Sequence, residues 1–229
     1  MPLNIGGDTD FTPYLKYNAK AGRFYIRPAG VTEDIEIVNP RLAIDMANIR
    51  TGWVCFQEGL GPEKVWDATL AQAAPRPAGD KKWKRGFEVM VFGPDRAGAA
   101  GSAIIGLREW SSNAGNANTG INKMYEAYEA GMVANPGKVP VYVGVGVTPI
   151  TGAYGTNYEP RFELKSWVER SKVPAFDEYL GKQAAKPATV APARPTRGVN
   201  EPPAVAGDPF GNFDQSPPVD DGFGQDVPF

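Results

Sequence analysis

The feature that most constrains the fold of this chain is the alternation of apolar and polar side chains in short segments. In one of them Leu42, Ile44 and Met46 are separated by single smaller or polar residues. A repeat of two indicates a β-strand with one buried face, because successive side chains point to opposite faces. We therefore expect regular structure to begin at residues 23–28 and 35–38, and strands at 42–57, 87–93, 102–110, 139–147 and 160–168.

One segment has convincing helical spacing. Its apolar residues recur every three or four positions: Ile121, Met124, Tyr125, Tyr128 and Met132. Thr119 is expected to cap its start and Pro136 to end it. We interpret this stripe as a face that covers one end of a barrel rather than as a ligand site. Shorter helical segments are expected at 63–70 and 170–181.

Five or six antiparallel strands, with one helix inserted before the final hairpin, fit an OB-fold. This small Greek-key barrel binds oligonucleotides on a curved face and its loops. Gly52 is expected to absorb the bend in the long strand 42–57. A β-sandwich or an SH3-like barrel would account for the same strands, and these alternatives stay open.

The composition divides the chain into four parts. Residues 1–22 are expected to form an irregular extension and 23–181 the folded domain. Residues 182–219, rich in Pro, Ala and Gly, are expected to be a disordered linker, and 220–229 form an acidic tip. The first 180 residues hold 20 Lys/Arg and 20 Asp/Glu, so the folded part is neutral overall. The linker begins with four cations and no acid, whereas the last 32 residues carry six acids and no base.

Residue types that are missing narrow the chemistry. The chain has no histidine and a single cysteine, Cys55, which excludes an internal disulfide, a Cys/His zinc site and a Ser-His-Asp triad. Asp34, Glu36 and Asp45 lie on expected strands but lack a recognisable spacing of Mg²⁺ ligands. We therefore expect neither an enzyme nor a bound metal or cofactor. With no apolar run long enough for a membrane span and no secretory signal, we expect a cytoplasmic protein without a membrane partner.

The densest basic stretch is Lys81-Lys82-Trp83-Lys84-Arg85, at the start of an expected strand. Cations in a row contact phosphates, and an indole among them offers a stacking surface that any base can use. The competing interpretation is a solvated basic turn whose tryptophan packs into the core.

Other strands repeat this mixture of aromatic and basic residues. Arg108 and Trp110 are expected on the outward face of their strand, as are Arg161, Lys165 and Trp167 on the last one. Gly144 and Gly146 beside Tyr142 leave room for either a second packed element or a nucleobase. The stacking candidates are Trp53, Trp83, Trp110, Tyr142 and Trp167, and the phosphate-binding candidates are Lys81, Lys82, Lys84, Arg85, Arg108, Arg161 and Lys165.

The acidic tip combines repelling carboxylates with apolar residues that no core can bury. A small apolar pocket rimmed by Lys or Arg would hold the terminal ring and carboxylate of Phe229. The candidate partner-binding residues are Asp220, Asp221, Phe223, Asp226, Val227, Pro228 and Phe229.

This ending resembles that of bacterial and phage single-stranded DNA-binding proteins, whose flexible Pro/Gly-rich arm closes on an acidic tip and a final Phe. The chain departs from the pattern because four residues separate Asp221 from Asp226, and because Val227 replaces the common Ile or Leu. The resemblance implies a tip that recruits replication and repair enzymes and that can compete with DNA for the basic groove.

These observations predict a sequence-independent single-stranded DNA-binding protein that acts in DNA replication, recombination and repair, and that is encoded by a phage. Its expected partners are single-stranded DNA, a polymerase, helicase, primase or nuclease held by the tip, and, as an option, further copies of the chain. The alternative is an adaptor module whose barrel binds protein or carbohydrate and not nucleic acid.

Overall fold

The computed structural model describes residues 13–28, 31–57, 61–93, 106–152 and 155–185. In these ranges the chain forms ten β-strands: β1 (Leu15–Asn18), β2 (Arg23–Ile26), β3 (Ile35–Ile37), β4 (Arg41–Ile44), β5 (Arg50–Cys55), β6 (Glu63–Trp66), β7 (Lys84–Gly93), β8 (Gly106–Ser112), β9 (Lys138–Gly152) and β10 (Gly155–Glu169). The same ranges contain two α-helices, α1 (Gly115–Met132) and α2 (Pro174–Ala185), and two 3-10 turns, at 46–48 and 170–172. The predicted mainly β class is confirmed.

The smaller sheet is an antiparallel meander of β1, β2 and β3. Leu15 pairs with Ile26 and Tyr17 with Phe24, and the side chains of Leu15, Phe24 and Ile26 are buried. The expectation that residues 1–22 are irregular is therefore wrong for 15–18. Residues 1–12 lie outside the described ranges.

The larger sheet has the strand order β10-β9-β4-β7-β5-β6, and β8 pairs with the other edge of β7. Strands β4 and β5 occupy the same edge of β7, so they form one long strand with an interruption at residues 45–49. The break comes at Asp45 and not at Gly52, because the Asp45 carboxylate accepts hydrogen bonds from Asn48 and Arg170. Gly52 instead allows β6 to approach: a Cβ there would lie 2.3 Å from the Val65 carbonyl oxygen.

The helices differ from the expectation mainly at their starts. Helix α1 begins at Gly115, four residues before Thr119, and the Thr119 hydroxyl donates back to the Gly115 carbonyl. The predicted helical turn at 63–70 is wrong, because residues 63–66 form strand β6. The predicted closing helix is confirmed as α2. Neither helix combines the length and apolar character that crossing a membrane requires, within the described residues.

Two apolar clusters hold these layers together. On the inner side of the large sheet, the Trp110 ring contacts the rings of Phe24, Phe87 and Phe162 at centroid distances of 5.2–5.9 Å. On the outer side, Phe176 of α2 packs in a cluster with Met90 and residues of β4 and β9. Helix α2 therefore covers the outer face of the central strands, which leaves the edges of the sheet to carry exposed side chains.

No ladder joins β8 to β10 in the part of the chain that the structure describes, so the large sheet does not close on itself. The N-terminal meander contacts both strands. The amide of Glu109 donates to the Pro13 carbonyl at 2.8 Å, and the Tyr17 hydroxyl donates to the Tyr158 carbonyl at 2.8 Å. The residues before β2 thus connect β8 with β10 through hydrogen bonds, in place of a direct pairing of these two strands.

Candidate nucleic-acid interface

The exposed aromatic and basic side chains gather on one three-stranded segment, which we call the ribbon. The ribbon consists of β5, β6 and residues 84–88 of β7, with β5 in the middle. Cross-strand partners share a face in an antiparallel pair. Trp53 is the partner of Arg85, whereas Trp66 is the partner of Gly52, so the two tryptophans lie on opposite faces of the ribbon.

Trp53 lies between two guanidinium groups. The Cζ atoms of Arg76 and Arg85 are 5.8 and 5.5 Å from its ring centroid, within the range of cation–π attraction. Its indole Nε1 donates to the Ala74 carbonyl at 2.9 Å, which fixes the ring while leaving it only half-buried. This face therefore presents a fixed aromatic surface with positive charge beside it.

Asp67 holds Arg85 in that position. Both terminal nitrogens of Arg85 donate to the Asp67 carboxylate, one of them at 2.7 Å to Oδ1, and the Thr51 hydroxyl donates to Oδ2 at 2.5 Å. Hydrogen bonds from Arg85 hold the pKa of Asp67 far below its usual range, and those to Asp67 raise the pKa of Arg85. The guanidinium is thus rigid, and its charge is largely offset.

Trp66 carries the opposite face. It lies over Gly52, where the missing side chain lets the ring approach the backbone of β5. The Arg50 Cζ and the Lys64 Nζ are 5.1 and 5.7 Å from its ring centroid. Both cations pair with Glu88, so this second aromatic surface is also fixed by ion pairs.

Lys64 extends that network to a second carboxylate, Glu109 of β8. Burial lowers the pKa of Lys64, but attraction to Glu88 and Glu109 outweighs it and leaves the pKa raised. Burial, with repulsion from Glu88, raises the pKa of Glu109. Strand β6 is therefore attached to the body of the domain through a cation held between two buried acids.

In the basic stretch 81–85 the lysine side chains are exposed, whereas the tryptophan ring is buried. Trp83 is only 7% exposed, whereas Lys81, Lys82 and Lys84 are exposed. The stacking role of Trp83 is thereby corrected in favour of the competing interpretation, in which the tryptophan packs into the core. Lys81 pairs with Glu63, while Lys82 and Lys84 have no carboxylate within 4 Å among the described residues.

Two residues of the ribbon that bear on binding, Arg50 and Trp66, are absent from the sequence prediction, and so is Phe56, which directly follows β5. Phe56 is 49% exposed and lines, with Lys81 and Lys82, a cavity of about 380 Å³. The prediction of a helical turn at 63–70 hid Trp66, because residues 63–66 have no alternation of apolar and polar side chains that would indicate a strand. Arg76, which also contacts Trp53, lies in a connection that has no periodic pattern.

Arg108 and Trp110 do not belong to this surface, and their predicted outward orientation is wrong. Trp110 is 0% and Arg108 4% exposed. Their cross-strand partners on β7 are Val89 and Val91, both of which point into the inner core. The Arg108 Nη1 donates to the Tyr14 carbonyl at 3.5 Å, and burial lowers the pKa of Arg108.

Tyr142 is also a core residue, which corrects its assignment as a stacking candidate. It is 1% exposed, its hydroxyl donates to the Met124 carbonyl at 2.6 Å, and burial raises its pKa. The space beside Gly144 is filled by Pro40, whose Cδ would be 2.8 Å from a Cβ at that glycine. Packing of another segment is therefore the interpretation observed at Gly144, whereas a Cβ at Gly146 would have no described heavy atom within 4 Å.

The candidates on β10 lie at the other end of the large sheet from the ribbon. Arg161 and Lys165 are exposed, and Lys165 pairs with Glu163. The pairing of β10 with β9 skips Lys165, and Trp167 packs on α1, where a Cβ at Gly131 would be 2.6 Å from its ring. The predicted residues that are not buried thus divide between two surfaces, and on the ribbon Trp53 lies with Lys84 and Arg85.

The acidic side chains considered as Mg²⁺ ligands are each paired with cations. Asp34 binds Lys16 and Arg27, Glu36 binds Arg23, and Asp45 binds Arg170. Within the described ranges no three side chains of the metal-binding types come together.

The predicted partner-binding residues of the acidic tip, 220–229, lie outside the described residues. So does most of the predicted linker, although its first four residues, 182–185, belong to α2. Comparison with known proteins adds no family to this picture: no protein-family model, no curated protein and no solved structure matches the chain.

Proposed function

We propose that this chain is a sequence-independent single-stranded DNA-binding protein whose ribbon grips the strand. One observation carries the proposal: each of the two ribbon tryptophans has two cationic groups 5.1–5.8 Å from its ring centroid. Lys82 and Lys84, in the stretch that leads into β7, pair with no carboxylate among the described residues. An aromatic ring can stack on any base and a cation can contact any phosphate, so neither contact depends on the base sequence.

The cations near the two tryptophans differ in whether a carboxylate pairs with them, and we assign them different roles on that basis. Arg50, Lys64 and Arg85 are neutralised by carboxylates, so their part is to orient the rings and, for the two arginines, to offer a guanidinium plane on which a base stacks. Lys82 and Lys84 keep their full charge and contact phosphates. Phe56 beside Lys82 adds a third aromatic surface toward the end of β5.

The connectivity supports an OB-fold as the scaffold. When β4 and β5 are taken as one interrupted strand, five strands follow the order β10-β9-β4/β5-β7-β8, and α1 lies between the third and the fourth in the chain. OB-folds bind oligonucleotides on the face of strands two and three and on the loop between strands one and two. Here β6 and residues 67–83 occupy that connection, which makes the ribbon part of the expected ligand region.

The face of strands two and three differs from that scheme. Helix α2 covers the outer side of β7 and β8 with Phe176, and Glu88 and Glu109 line the rest of it. Helix α2 closes the centre of this face to DNA, whereas toward the ribbon Arg50 and Lys64, the cations beside Trp66, offset the charge of Glu88. The binding surface is therefore displaced from the centre of the sheet to the ribbon.

A titration with oligo-dT over a series of salt concentrations tests this function. We expect binding whose log K falls linearly with log salt, and the double variant Lys82→Ala/Lys84→Ala should reduce the slope by about 1.4, at roughly 0.7 per phosphate contact on single strands. The matched control replaces Lys20 and Lys172, which are exposed elsewhere. Absence of binding at low salt would favour a protein- or carbohydrate-binding adaptor, and equal slopes would remove the two lysines from the interface.

The acidic tip is proposed to recruit a polymerase, helicase, primase or nuclease. Deletion of residues 220–229 should leave oligo-dT affinity unchanged or higher, because the deleted residues carry negative charge and no positive charge. Beads that carry the full-length protein should capture those enzymes, beads that carry the deletion variant should not, and Phe229→Ala should abolish most of the capture. A large loss of DNA affinity would contradict the assignment of the tip to proteins.

A further inference from the structure

A cavity of about 330 Å³ lies beside the ribbon, between helix α1 and the starts of β5 and β7. Its apolar walls include Ile49, Phe87 and Ile121, and Tyr125 adds an aromatic ring. Its volume is at the lower end of the roughly 300–1,000 Å³ of small-molecule sites. The cavity therefore suits one flat ring system rather than a peptide or a whole oligonucleotide.

Two asparagines of α1 line this cavity. Asn118 donates through Nδ2 to the Arg85 carbonyl at 2.9 Å, which fixes its amide, while its Oδ1 is buried without a hydrogen-bond partner among the described residues. Leaving a buried acceptor unsatisfied costs stability. Asn122, one turn further along the same face of the helix, is exposed and also lines the cavity.

Arg85 connects this cavity to the ribbon. Its guanidinium lies 5.5 Å from the Trp53 centroid, and the same residue lines the cavity. A strand that stacks on the Trp53 face therefore passes the cavity. A base that leaves the stack there exchanges the aromatic surface of Trp53 for the walls formed by Phe87 and Tyr125.

We propose that the cavity takes one unpaired nucleobase of the bound strand, an inference that rests on the proposed function. The exposed amide of Asn122 lies at the mouth of the cavity, where it can pair with the edge of any of the four bases. An asparagine amide is both a donor and an acceptor and so matches the mixed edge of a base. The apolar walls bind the ring, while the sugar and phosphate stay outside with the cations of the ribbon.

Side-chain amide resonances of the ¹⁵N-labelled full-length protein give a direct test. Addition of dTMP or dAMP should shift the signals of Asn118 and Asn122, whereas deoxyribose 5-phosphate, which has no base, should not. Equal shifts with all three compounds would show an anion site at Arg85 and overturn the proposal. No shift with either nucleotide at millimolar concentration would overturn it as well.

A variant that blocks the cavity connects this test to DNA binding. Asn122→Trp is an exposed substitution that fills the mouth, and it should abolish the nucleotide shifts and weaken oligo-dT binding on the order of ten-fold, the loss of one stacked base. Ala130→Trp, two turns along α1 and outside the cavity, is the matched control. If the wild type binds oligo-dT and Asn122→Trp binds it equally well, the cavity does not hold a base, and the proposed function stands. If the wild type binds no oligo-dT, the proposed function itself is refuted.

Discussion

Replacement of Trp110 by alanine is expected to lower the free energy of unfolding by about 3–5 kcal/mol, the range for large-to-small changes in a core. Trp110 has no exposed surface, and its ring contacts Phe24, Phe87 and Phe162, which come from three different strands. Its removal leaves a void where the N-terminal meander meets the large sheet, and this void cannot close without moving both.

Chemical denaturation followed by circular dichroism measures this loss. Trp66→Ala is the comparison, because Trp66 is half-buried on the ribbon and its replacement leaves the inner core intact. Below its unfolding transition, Trp110→Ala should bind oligo-dT as the wild type does. Wild-type stability with weakened binding would instead restore Trp110 to the nucleic-acid interface and contradict the packing described above.

Trp110 also shows where alternation fails to predict orientation. Period two divides the side chains of β8 into two sets, but it does not say which set faces water. Arg108 and Trp110 were predicted to face outward, whereas Leu107, which alternates with them, is the residue that packs on the outer side with the α2 cluster. Because α2 lies more than sixty residues further along the chain, nothing local to β8 indicates that both of its faces are covered.

The positions of strands and helices were easier to predict than the faces on which their side chains lie. Strands β7, β9 and β10 and helix α1 have long periodic patterns, and the structure contains each of them. Strand β6 was missed because it is short and lies in a segment rich in Gly, Pro and Ala. The interruption after β4 was also missed, because it depends on the ion pair of Asp45 with Arg170, 125 residues later.

The candidate site was predictable only where its residues are neighbours in the chain. The Lys81–Arg85 stretch is visible as a motif, and Trp53 was found as an aromatic residue in a strand. Arg50 and Trp66 come from separate segments, and only the pairing of β5 with β6 brings them together. Arg76 comes from the connection 67–83 and contacts Trp53 on the other face. Ladder register, which single-sequence periodicity does not give, therefore decided which aromatic and basic residues share a face.

The double variant Trp53→Ala/Trp66→Ala is expected to cause the largest loss of DNA binding. Each stacked base contributes about 1–3 kcal/mol by alanine substitution, so the loss of both rings should lower oligo-dT affinity by about two to four orders of magnitude. The two rings lie on opposite faces of the ribbon with separate cationic neighbours, so the effects of the single variants should add. Fluorescence anisotropy of labelled oligo-dT at low salt measures all three variants.

Trp167→Phe provides the control for this experiment, since Trp167 packs on α1 at the far end of the sheet and should not affect binding. Phenylalanine at positions 53 and 66 should recover a large part of the affinity, because a smaller ring still stacks. Recovery separates ring stacking from damage to the cation positions, which alanine would also alter. If Trp167→Phe weakens binding while the double variant does not, the strand must lie along β10, and the ribbon is not the interface.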